Sequence, residues 1–196
     1  MAKGGQFERD FSRQLSLWWT KGERDDIFWR TAGSGARATV RTKKGKSTAG
    51  QYGDITATDP DGKLLIDNIL FELKNGYPDA EIEKLLNYSL TKKNAAEGTD
   101  IYSKWIAKCE KSCKDSGIPG WAIVHKRSGR EPLVTFNEYV NKVINTSIMG
   151  LPRPVPRGSF VFKDEVTFEK RIYFLRLDTL LVIDCNKVRR CLRNSK

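Results

Sequence analysis

The sequence predicts a single α/β domain, a mixed central sheet flanked by helices, with a basic C-terminal extension. Three observations predict it. The chain has 196 residues, the length of one domain. Segments with helical apolar spacing alternate along it with compact apolar runs of strand length. Hydrophobic residues make up 39% and charged residues 30%, a composition that supports a real core and argues against wholesale disorder. The expected division is residues 1–150 for the domain and 151–196 for the extension, packed on the same domain.

Each element has its own signal. Residues 5–20 read as a helix, because Phe7, Phe11, Leu15 and Trp18 recur at helical spacing as one apolar stripe. Ile27 to Arg30 reads as a short strand. From Thr31 to Gly53 the chain is basic and Gly-rich with almost no core residues, as a loop would be. Asp54 to Thr58 reads as a strand, and Asp59-Pro60-Asp61-Gly62 as a turn. Leu64 to Lys74 resumes as a strand, so the two make a candidate hairpin. Ile82, Leu85 and Leu86 suggest a short helix after Pro78.

The second half follows the same logic. Asp100 to Ser116 reads as a helix with the stripe Ile101, Trp105, Cys109 and Cys113, ended by Gly117 and Pro119. Trp121 to His125 is a buried-strand run, with Leu133 to Phe136 its partner across the Ser128-Gly129-Arg130 turn. Asn137 to Ile148 is helical in pattern. Pro152, Pro154 and Pro156 break regular structure. Ser159 to Phe168 and Ile172 to Leu177 read as strands, and Asp178 opens a short helix. The tail from Lys187 to Lys196 is basic and is expected to fray. Trp18, Trp19 and Trp29 are expected in the core rather than as base-stacking platforms.

Charge narrows the partners. Lys and Arg number 35 against 24 Asp and Glu, a net charge of +11, which makes a polyanion the default partner, nucleic acid ahead of an acidic membrane surface. No apolar run reaches the ~18 residues of a membrane span, and the N-terminus lacks the apolar stretch of a secretory signal. The expectation is an intracellular, cytoplasmic protein. Cys109, Cys113, Cys185 and Cys191 lack usual zinc-knuckle spacing and read as reduced thiols. His125 is the only histidine, and neither a Gly-x-Ser-x-Gly elbow nor a phosphate-binding Gly-Lys-Thr loop is present.

The chemistry points to Asp54, Glu72 and Lys74. Alternate side chains of a strand share a face, so Ile69, Phe71 and Leu73 point one way and Leu70, Glu72 and Lys74 the other. With Asp54 on a neighbouring strand, two carboxylates and one ammonium converge. Two close carboxylates repel unless a cation sits between them, and oxygen ligands with room for water suit Mg²⁺. A lysine beside such an ion can hold a water. That is equipment for phosphodiester hydrolysis. Arg37, Arg41, Lys43, Lys44 and Lys46 in the Gly-rich loop, and Lys126 and Arg127 after the buried strand, are candidate phosphate contacts.

Asp54 followed by Glu72-Leu73-Lys74 resembles the core of the PD-(D/E)XK nuclease superfamily, with Gly53 where the name has proline. Gly5-Gln6-Phe7-Glu8-Arg9 on the first helix, then Phe28-Trp29-Arg30-Thr31-Ala32-Gly33-Ser34-Gly35, resembles the N-terminal half of archaeal-type Holliday-junction-resolving enzymes. The resemblance covers residues 4–76 and, more loosely, 105–127. It implies a restriction-endonuclease-like domain and an Mg²⁺-dependent endonuclease in which Mn²⁺ can substitute. Glu8 would join Asp54 and Glu72 as a metal carboxylate, and Arg30 and Ser34 would lie near the scissile phosphate. It further implies a cut leaving a 5′-phosphate, branched DNA as partner and a homodimer. The loop between Gly35 and Asp54 is longer than in those resolvases, and the C-terminal extension is additional. The rival readings are a nuclease of the same superfamily acting on other branched, nicked or duplex DNA, and a basic DNA-binding protein without activity. A small stand-alone nuclease of this kind fits a phage or a mobile element.

Overall fold

Phe7, Phe11 and Leu15 lie on one side of helix α1 (Lys3–Trp19) and are buried to 6%, 1% and 0% exposure. The fourth member of that stripe is Trp19, at 1%, rather than Trp18. Trp18 packs at the margin and donates its indole N–H to Ile183 O at 2.7 Å. The computed structural model describes residues 3–31, 52–83, 101–149, 158–162 and 170–195.

After α1 come β1 (Phe28–Arg30) and β2 (Ile55–Ala57), an antiparallel pair. The expected turn at Asp59 to Gly62 is instead a helix start. Asp59 caps α2 (Pro60–Ile66) by accepting from the Asp61 N–H at 2.9 Å, with proline in the first turn. Asp-Pro opens a helix as readily as a turn, because proline's fixed φ suits both. The hairpin expectation therefore fails: β3 (Ile69–Asn75) begins only after α2.

Helix α3 (Ile101–Ser116) leads into β4 (Gly120–Lys126), which runs parallel to β3. Strand β5 (Leu133–Phe136) returns antiparallel across the turn at Gly129, as the sequence indicates. Asn137 caps α4 (Glu138–Ile148). Strands β6 (Gly158–Phe162) and β7 (Lys170–Arg176) are antiparallel, and β7 pairs with β5. The sheet order is β3-β4-β5-β7-β6, a mixed sheet flanked by helices, as a restriction-endonuclease-like domain requires.

The chain closes with α5 (Leu177–Leu181) and α6 (Cys185–Asn194). The tail does not fray from Lys187. Asp184 caps α6, and Cys185, Val188 and Leu192 are buried in the core. Three apolar groups at positions i, i+3 and i+7 give that helix a face worth burying, about 1.5–3 kcal/mol for a fully buried valine or leucine. The short helix expected around Leu85 and Leu86 and the strand residues after Phe162 lie outside the described residues.

The sheet separates two cores. Ile69, Phe71 and Leu73 pack with Ala122, Val124 and the helices α1, α4 and α6. Leu70 packs on the other side with Trp121, Ile123 and the α3 residues Tyr102, Trp105, Ile106 and Cys109. Trp29 is not a core residue: it is 47% exposed on β1. Its neighbours Phe28 and Arg30 alternate with it, so the buried face of β1 belongs to Phe28.

Candidate active site

Strand β3 is an edge strand of the five-stranded sheet, yet its first five residues are buried. Its free edge is covered by Asp54. The Asp54 N–H donates to Phe71 O at 2.7 Å, and Asp54 Oδ2 accepts the Leu73 N–H at 2.7 Å. One residue thus supplies both a ladder donor and a ladder acceptor, and the carboxylate is locked beside β3. Gly53 makes the approach possible. Its φ is +78°, and a Cβ there would lie 2.7 Å from Phe71 O. Any side chain at position 53 would push Asp54 off the strand. The glycine in place of the usual proline therefore has a steric reason.

Glu72 faces α3, as its parity with Leu70 predicts. It is 3% exposed. Its Oε1 accepts from Lys74 Nζ at 2.6 Å and from Lys108 Nζ at 2.5 Å. Lys74 is largely enclosed and sits over the Trp105 ring, 5.6 Å from the centroid. Lys108 comes from α3, and more than half of its side chain is exposed.

The two carboxylates respond to this setting in opposite ways. Burial, and then the charge of Glu72, push the Asp54 carboxyl up to about 6, against the Leu73 N–H and the two ammonium groups. Burial acts on Glu72 in the same direction, but Lys74 and Lys108 outweigh it and hold Glu72 below the usual carboxylate range. Lys108 in turn is raised, because Glu72 overcomes the cost of its burial.

Glu8 is on α1, at the margin of the buried stripe. Its neighbour across the gap is Arg30, whose Nε lies 3.7 Å from Glu8 Oε2. A Cβ on Gly5 would meet the same guanidinium at 2.7 Å, so Gly5 clears the path of Arg30 across α1. Asp10, the rival carboxylate on this helix, is exposed and accepts from Gln6 Nε2. Arg30 is followed by Thr31, whose N–H donates to Asp54 O at 2.8 Å, so the Glu8–Arg30 pair adjoins the Asp54 segment. Among the described residues no three carboxylate, imidazole or thiol groups gather as metal ligands.

Lys126 ends β4, and Arg127 follows it, at the same end of the sheet as Lys74, because Lys74 and Asn75 register with His125 and Lys126. Lys126 is exposed and reaches over the Phe7 ring at 5.8 Å. Ser34, Arg37, Arg41, Lys43, Lys44 and Lys46 lie outside the described residues. His125 is fully employed in the α3-side core. Its Nε2–H donates to Gly76 O at 2.9 Å and its Nδ1 accepts the Tyr102 hydroxyl at 2.7 Å. Burial holds its pKa below the usual value.

Lys108 is the site residue that the sequence reading missed. It follows Trp105 by three positions, at the edge of the α3 stripe. A lysine there can be noticed in the sequence. That it meets Glu72 depends on α3 covering that face of β3.

A buried and a half-buried carboxylate from adjacent segments, with a lysine two residues after the second on the same strand, form the arrangement expected of the PD-(D/E)XK class on a restriction-endonuclease-like fold. More narrowly, residues 1–190 match the family described as phage putative PDDEXK endonuclease, and the chain belongs to that family. No curated protein and no solved structure matches the chain.

The donor set fits a hard divalent cation of the kind this class generally uses. Mg²⁺ is commonly held by one or two carboxylates, with waters and substrate phosphate oxygens completing its shell, rather than by an all-protein cage. Asp54 and Glu72 meet that description without a third carboxylate.

Proposed function

We propose that this chain is an Mg²⁺-dependent DNA endonuclease, with Mn²⁺ able to substitute, that resolves Holliday junctions as a homodimer inside the infected cell. The observation that supports the nuclease chemistry best is the meeting of Asp54, Glu72 and Lys74 at one edge of β3. Asp54 and Glu72 would hold the ion. When bound, it stabilises charge developing on the phosphate and lowers the pKa of water.

The protein's own groups do the rest. Leu73 N–H fixes Asp54 Oδ2, leaving Oδ1 free among the described residues. Lys74, held between Glu72 and the Trp105 face, orients the attacking water in line with the scissile bond. Lys108, anchored in α3 with an exposed stem, turns from Glu72 to a phosphate oxygen when DNA arrives. Glu8 acts through Arg30, holding that guanidinium at the entrance where a flanking phosphate passes. Lys126, Arg127 and the basic segment Arg37–Lys46 grip the neighbouring backbone. The cut leaves a 5′-phosphate. The described residues 158–162 and 170–195 fold against the rest, since β7 pairs with β5 and α6 adds Val188 and Leu192 to the core, which supports reading 151–196 as an extension of the same domain.

The test compares end-labelled four-way junction, fork and linear duplex, with Mg²⁺, with Mn²⁺ and with EDTA. Cleavage of the junction far above the other two, lost in EDTA, is the expected result. Equal cleavage of all three removes the junction preference and leaves a general endonuclease. Binding without any cleavage leaves a DNA-binding protein. Size measured in solution at assay concentrations checks the dimer.

A further inference from the structure

Helix α6 carries a second cationic surface, at the opposite end of α1 from Glu8 and Arg30. Its sequence, CNKVRRCLRN, has no acidic residue. Cys185, Val188 and Leu192 are buried, and the opposite stripe is Asn186, Arg189, Arg190, Arg193 and Asn194, at spacings i, i+3, i+4, i+7 and i+8. These five side chains line a concavity of about 490 Å³. Arg190 and Arg193 are exposed, and neither is in an ion pair among the described residues.

Arg189 anchors the platform beneath. Arg189 lies over the Trp19 ring at 4.4 Å, and its NH2 donates to Trp19 O and to Asp61 Oδ2, each at 2.9 Å. Its Nε is buried with no acceptor among the described residues, a donor with nothing yet to bind. Arg189 so ties α6 to the C-terminal end of α1, whereas Glu8 and Arg30 are near the other end.

We propose that the α6 stripe is a second nucleic-acid contact, gripping the sugar–phosphate backbone of a duplex arm about 16 Å along α1 from Glu8. The proposal rests on DNA being the substrate. Arginine forks match phosphate oxygens bidentately, and the asparagine amides add donors between them. The stripe runs about 12 Å along the helix, which laid along the duplex axis spans roughly three phosphates of one strand at ~3.4 Å of axial rise each. A protein partner fits less well, because a stable protein interface needs an apolar centre, and all five stripe residues are Arg or Asn.

The experiment measures binding of a labelled duplex of about 30 base pairs in EDTA, over a range of salt, and then cleavage with Mg²⁺. Four proteins are compared: wild type, Arg190→Gln/Arg193→Gln, Arg190→Lys/Arg193→Lys, and Lys111→Gln/Lys114→Gln, which removes the same charge as the glutamine pair from exposed sites on α3. The α6 pair should weaken binding roughly tenfold and flatten the slope of log affinity against log salt by about 2, one step per phosphate lost. KM should rise while kcat at saturating DNA stays the same. The α3 pair should change affinity less than about twofold, and Arg190→Lys/Arg193→Lys should keep the salt slope while losing part of the affinity.

Thermal melting checks that the variants fold, as glutamine and lysine on an exposed helix face permit. An unchanged slope in the α6 pair overturns the proposal and leaves the stripe to an acidic protein. Equal losses in the α6 and α3 pairs overturn it in favour of diffuse net charge. A fall in kcat alone overturns it by putting the arginines at the scissile phosphate. A wild-type protein that binds no DNA overturns both this proposal and the nuclease reading. Binding that depends on α6, without cleavage, overturns only the nuclease reading.

Discussion

The two faces of β3 share one backbone and differ in everything else. Ile69, Phe71 and Leu73 meet α1 and its neighbours through apolar contacts, and Phe71 lies 5.7 Å from the Phe11 ring. Leu70, Glu72 and Lys74 meet α3, and two of those three are charged. Burying charge beside an apolar core is costly unless each charge is partnered. Here it is offset locally: Glu72 has two ammonium partners, and Asp54 has a backbone N–H. One face holds the strand in the fold, and the other keeps a chemically useful but energetically awkward cluster in place.

The sharpest way to break this comparison is to remove the charges while keeping their shapes. Asp54→Asn and Glu72→Gln should each lower cleavage by about 10³–10⁴-fold, roughly 4–5.5 kcal/mol of barrier. DNA affinity in EDTA should stay the same or tighten, since a charge that repels phosphate is gone. Retained cleavage in either folded variant would remove that residue from the site.

On the opposite face the loss should appear in stability. Phe71→Ala should cost about 3–5 kcal/mol in denaturant unfolding, from lost burial and the cavity left against Phe11. The folded fraction should cut at close to the normal rate. A variant that kept its stability but lost activity would erase the division between the faces.

Between these sit the lysines. Lys74→Ala should lower kcat by about 10²-fold or more, and Lys108→Ala by about tenfold, because Lys74 is enclosed at the site and Lys108 reaches it from an exposed stem. Rates that rank the other way would give Lys108 the water-orienting role.

The two carboxylates should also differ in how they shape stability without metal. The folded protein holds the Asp54 proton up to about 6, above the ordinary carboxylate value, so it binds more protons than the unfolded chain between about pH 4 and 6. That contribution is full below pH 4 and is lost as pH rises through 6. Glu72, held low, contributes in the opposite sense, and its share is lost as pH falls below its ordinary range. Asp54→Asn should therefore stabilise the metal-free protein at pH 7 by about 1–3 kcal/mol, and Glu72→Gln should destabilise it by leaving two ammonium groups unpaired. Melting curves across pH in EDTA read both signs.

The smallest effect concerns α1. Glu8→Gln should raise KM several-fold by loosening Arg30, whereas Asp10→Asn, exposed and bonded only to Gln6 among the described residues, should do little. A strong Mg²⁺ requirement appearing in Glu8→Gln would make Glu8 a direct metal carboxylate instead.

What the chain determined by itself was local and periodic. The stripe Phe7, Phe11, Leu15 could be read because helical spacing repeats within a few turns. The grouping of Glu72 with Lys74 could be read because side chains alternate along a strand. The β4–β5 pairing was legible from one turn between two apolar runs. Tertiary structure decided the rest. Asp59-Pro60 serves turn or helix equally, and only packing of α2 chose the helix. The tail looked like a basic end until Val188 and Leu192 found a core to enter. Trp18 and Trp19 are adjacent in sequence, and which one the core takes depends on the surface α1 lies on. Lys108 and Glu72 are 36 positions apart, and no local pattern encodes their meeting. Arg30 took the place beside Glu8 for the same reason: a charge needs a counter-charge, but the sequence does not say which one the fold will bring.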